Sequence, residues 1–81
     1  MHDIHDEIGR LQDTMNELVG RWMSIEECVR TGRSADPRRD GWMALQLRSK
    51  TARVRAMREE LEARIARGRI NEPLPPWWSD I

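Results

Sequence analysis

The chain has 81 residues, 38% of them apolar and 35% charged, with 14 bases balanced by 14 acids. A chain this short forms one domain at most, near the size where a single core is only marginally stabilising. No run approaches the roughly 18 apolar residues of a membrane span, and the acidic start MHDIHDEIGR lacks the apolar stretch of a secretory signal, so a cytoplasmic protein is expected.

The first predicted element is the clearest. Ile4, Ile8, Leu11, Met15, Leu18, Trp22, Ile25 and Val29 recur at alternating spacings of three and four. That period marks a helix with a coiled-coil-like seam, running from about residue 4 to 31. Asp3 is placed to cap it, Asp6 and Glu7 suit its electropositive first turn, and Gly32 suits a left-handed stop. Gly9 and Gly20 lie off the seam; they are either tolerated surface glycines or marks of another backbone's close approach.

Residues 32–36 form a loop, inside a stretch of turn composition, GRSADPRRDG. Pro37 forces Asp36 out of the helical region, which makes Asp36 an N-cap and Pro37 the first helical residue. The second helix runs from about 37 to 67, and Gly68 stops it. Its main stripe reads Met43, Leu47, Val54, Met57, Leu61 and Ile65, interrupted where Lys50 and Thr51 fall. On the opposite face Ala52, Ala56, Ala63, Ala66 and Ile70 follow Trp42 and Leu45, a pattern that either admits a second helix or reflects the high helix propensity of alanine. Two helices of similar length across a short loop predict an antiparallel hairpin over residues 1–70.

Residues 71–81 (NEPLPPWWSDI) cannot be helical through Pro73, Pro75 and Pro76, and read as an extended tail. Leu74, Trp77, Trp78 and Ile81 are its apolar residues. They either close the hairpin's own exposed seam or dock on a partner, since tryptophan concentrates binding energy.

The fold class expected is therefore all-α, a coiled-coil-like hairpin with an extended tail. One hairpin leaves Val19, Met23, Cys28, Met43 and Leu45 on wet flanks, and the chain has neither a disulfide nor an evident metal. Homodimerisation into a four-helix bundle is the economical remedy, using the seam residues Ile8, Leu11, Met15, Leu18, Trp22, Ile25, Leu47, Val54 and Leu61. The single Cys28 cannot bridge internally and fits a reducing compartment. Arginine outnumbers lysine thirteen to one, and phenylalanine and tyrosine are absent, the codon signature of a GC-rich bacterial or phage genome.

Charge divides the chain. Residues 1–29 hold seven acids and two bases, residues 30–70 twelve bases and five acids, and the tail Glu72 and Asp80. A basic second helix invites a nucleic-acid reading, but an acidic neighbour offsets it, and many bases have acids at helical spacing: Asp6–Arg10, Glu17–Arg21, Glu26–Arg30, Arg55–Glu59, Arg58–Glu62 and Glu60–Arg64. His2 and His5 sit on a fraying helix start without the converging ligands a metal needs. Cys28 has no histidine at usable spacing, so neither an enzyme nor a cofactor is expected. The function expected is non-enzymatic protein binding, as an adaptor, chaperone-like subunit or inhibitor. Its candidate surfaces are the tail, and Arg38, Arg39, Trp42, Leu45, Ala52, Ala56 and Ala63 on the loop and second helix. A dimeric nucleic-acid-binding regulator and a structural subunit of a larger assembly are the alternatives.

Overall fold

The computed structural model describes residues 4–69, which form two α-helices, α1 (Ile4–Arg30) and α2 (Pro37–Ala66). They pack antiparallel into a rod 49 × 21 × 19 Å. No helix among these residues is long and apolar enough to cross a membrane. The expectations placed on the tail and on Asp3 lie outside the described residues.

The helix ends follow the sequence signals to within a residue. At the close of α1, Gly32 takes a φ of 76°, and Arg33 N–H donates to the Cys28 carbonyl at 2.9 Å. A left-handed glycine there satisfies carbonyls that the helix leaves without partners. At the start of α2, the Asp36 carboxylate accepts from Arg39 N–H at 3.2 Å, and Pro37 occupies the first turn. Ser34 Oγ donates to Asp40 at 2.5 Å, tying the loop to that same turn.

The core is a single file. Leu11, Leu18, Val54, Met57 and Leu61 are buried together, with Ile4, Ile8, Met15 and Leu47 packed against them. On α1 this is the seam read from the sequence. On α2 the stripe differs: Met43 is 39% exposed, while Ala44 and Thr51 are buried. The seam of α2 therefore keeps Leu47, Val54, Met57, Leu61 and Ile65 from the sequence stripe and adds Ala44 and Thr51, with half-buried Arg58 beside Met57.

Thr51 does not interrupt the seam. Its hydroxyl donates to the Leu47 carbonyl of its own helix at 2.8 Å, which leaves the methyl for the core. Register explains why a small residue stands there. Arg48 Nη1 lies 3.3 Å from Glu26, its guanidinium sits 5.2 Å from the centre of the Trp22 ring, and Arg58 donates to Gln12. These contacts bring the bulkiest seam residue of α1, Trp22, level with Thr51. Large meets small, as close packing requires.

The local ion pairs are partly those expected. Arg58–Glu62 and Glu60–Arg64 form at 3.7 and 3.3 Å. Arg10 pairs with Glu7 rather than Asp6, and Arg30 with Glu27 rather than Glu26. Glu7 is buried where Asp6 is exposed, and Glu26 is drawn across to Arg48 instead. The Glu7 carboxylate, only 8% exposed, raises the Arg10 guanidinium further above its ordinary value through their hydrogen bond, against burial, which lowers it. Gly9 and Gly20 mark no close approach among the described residues, where a Cβ at either would meet nothing within 4 Å.

Candidate functional site

A face left uncovered by the hairpin is where the fold can act. The seam residues Leu11, Leu18, Val54 and Leu61 are buried between the chain's own helices, with Ile8, Met15, Trp22, Ile25 and Leu47 half-buried beside them. Other large apolar side chains lie in the open. Trp42 is 60% exposed, Met23 55% and Leu45 54%. All three belong to the loop-proximal half of the rod.

Trp42 and Leu45 stand on α2 two residues before Ala44 and Leu47, an offset of about 200° around a helix of 3.6 residues per turn. They therefore face away from α1. An open groove of about 560 Å³ runs beside them, lined by Asp36, Arg38, Arg39, Gly41, Trp42 and Leu45. The capped first turn of α2 builds this groove. Pro37 and Asp36 fix the helix start, which sets the two arginines one turn ahead of Trp42. The combination is an apolar floor with a rim of two arginines and Asp36, Arg39 lying 3.7 Å from Asp40. It suits a chain segment that offers an apolar side chain followed by a carboxylate.

Continuing from Leu45 at the same spacing, the outward face carries Ser49, Ala52, Ala56, Glu59, Ala63 and Ala66. Ala52 and Ala56 are exposed and Ala63 is half-buried. Thus α2 bears two heptad seams on opposite sides, one filled by α1 and one facing solvent. Of the other expected binding residues, Arg38 and Arg39 are exposed on the groove's rim, while Leu74, Trp77, Trp78 and Ile81 lie outside the described residues.

Charge around this face is uneven. Arg48, Arg58, Arg64 and Arg67 are held in ion pairs with Glu26, Glu62 and Glu60. Arg53 and Arg55 form none among the described residues, and Glu59 does not take up Arg55. A second, smaller concavity lies on α1, lined by Trp22, Met23, Glu26, Glu27 and Arg30. Within it the Trp22 indole N–H is buried and unpartnered. Its inaccessibility follows from the seam position, and sequence spacing gave no sign of the lost hydrogen bond. Among the described residues no three or more His, Cys, Asp or Glu side chains cluster closely enough to hold a metal ion.

No family model, curated protein or solved structure matches this chain. The functional reading therefore stands on the residues alone.

Proposed function

We propose that this hairpin is a protein-binding module, acting as an adaptor, chaperone-like subunit or inhibitor, that associates through the outer face of α2 rather than by catalysis. Two hairpins joined in this way make a four-helix assembly. The observation that carries the reading is the exposure of Trp42 and Leu45 beside a groove rimmed by Arg38, Arg39 and Asp36 on a capped helix start. Tryptophan, leucine and arginine together supply the apolar area and directed hydrogen bonds that concentrate affinity at interfaces. The pairing of Arg48, Arg58, Arg64 and Arg67 with acids weakens the nucleic-acid alternative, because phosphate binding draws on uncancelled positive charge.

A photo-crosslinking residue at position 45, in the full chain, tests this directly. Efficient capture of a polypeptide at 45, and little at Asn16 on the polar face of α1, is the expected outcome. Equal capture at both positions, or none at 45, would overturn the assignment of the face.

A further inference from the structure

We propose that the occupant of the outer face of α2 is a second copy of this chain, lying antiparallel, α2 against α2, about a twofold axis near residue 54. The inference rests on the protein-binding reading above and deepens it by naming the partner.

The face is graded along its length, and the grading complements itself when reversed. Bulky Trp42 and Leu45 stand at the loop end, Ala63 and Ala66 at the far end, and Ser49, Ala52, Ala56 and Glu59 between them. In the heptad register that sets Trp42 over Ala66 of the second copy, Leu45 lies over Ala63, Ser49 over Glu59 and Ala52 over Ala56. Each bulky side chain then meets a methyl group, and the single carboxylate of the stripe meets its single hydroxyl. Trp42 and Leu45 leave water twice over, once for each copy, and a twofold axis doubles each contact.

Charge selects the orientation. Residues 37–55 of α2 carry six bases and one acid, whereas residues 56–66 carry two bases and three acids. A parallel pair would stack the basic halves on each other and bring two Glu59 carboxylates together in one layer. Reversal lays the basic half along the weakly acidic half.

Two costs are visible. Arg53 and Arg55 come near their own symmetry mates, where water screens exposed guanidinium groups. A register shifted by one heptad would instead pair Arg53 with Glu60 and Arg55 with Glu62. That shift leaves Trp42 beyond the end of the second copy's α2, and surface ion pairs are worth less than the apolar area so lost. Because the outer stripe lies opposite the inner seam, the four helices form one flat layer, α1–α2–α2–α1, rather than a square bundle.

The test uses the full chain with Cys28→Ser, so that introduced thiols are alone. Sedimentation equilibrium of the unsubstituted chain should give twice the chain mass, and Ala56→Arg should return it to the chain mass with helical circular dichroism unchanged. Ser49→Cys and Glu59→Cys proteins, mixed and oxidised, should give the 49–59 disulfide several-fold above either self-linked product. Predominant 49–49 linkage would overturn the antiparallel arrangement. A strict monomer would overturn the second copy as occupant, while capture of a foreign chain at position 45 would still uphold the protein-binding reading.

Discussion

Thr51 shows how one side chain can be polar by name and apolar in use. With its hydroxyl committed to the Leu47 carbonyl, what it offers the core is a methyl group of limited bulk, level with Trp22. A leucine there would complete the apolar stripe on paper and should nevertheless destabilise. Overpacking a filled layer costs about 1–3 kcal/mol, so Thr51→Leu is expected to lower the urea midpoint by a corresponding amount. Thr51→Val keeps the shape and loses a hydroxyl already satisfied within its own helix, and should shift stability by less than about 1 kcal/mol. If Thr51→Leu proved stabilising in chemical denaturation, the packing of Trp22 against this layer would be wrong. Leu61, fully buried, gives the contrasting case: its truncation to alanine should cost about 2–5 kcal/mol.

At the scale of the helices, the ends were legible from sequence because each is written in residues with a single conformational consequence. Pro37 fixes the start of α2, Asp36 has the carboxylate that its first N–H groups need, and Gly32 alone among its neighbours tolerates a φ of 76°. Asp36→Ala should cost about 0.5–2 kcal/mol in thermal unfolding, whereas Asp36→Asn should recover most of it. The seam of α1 was equally legible, since its positions are filled by residues apolar on any scale. The seam of α2 was legible only in part: Leu47, Val54, Met57, Leu61 and Ile65 were read correctly, Ala44 and Thr51 were not. Ala44 and Thr51 are too small or too polar to stand out, Arg58 is charged, and Met43 beside them is a better hydrophobe that the geometry turns outward. Small residues become core only when a bulky partner comes level with them, and that information belongs to the pairing of two helices. The outward face of α2 was visible as alanines and Trp42; what needed the structure was that α1 takes the opposite side, and that a groove opens between Trp42 and the arginines of the first turn.

The whole molecule is a rod with its own seam closed and a second seam open, and this arrangement links its stability to its association. Among the described residues a file of six buried apolar side chains is a small core for two helices of 27 and 30 residues. Scaffolds of this kind rarely exceed about 3–5 kcal/mol on core burial alone. Self-association that engages only folded hairpins adds stability by mass action, so the melting temperature should rise with protein concentration. The double variant Trp42→Ala/Leu45→Ala separates the two contributions. Both side chains are more than half exposed in the single hairpin, so their removal should leave the melting temperature at high dilution nearly unchanged, within about 0.5 kcal/mol of stability. At high concentration the same variant should melt well below the parent chain, and its melting temperature should no longer depend on concentration. Leu61→Ala should show the reverse pattern, a lowered melting temperature at every concentration with the concentration dependence intact. Calorimetry over a hundredfold range of concentration distinguishes the two. If the double variant keeps the parent's dependence, association uses another face; if the parent shows none, the hairpin is stable by itself and its open seam is kept for a different chain.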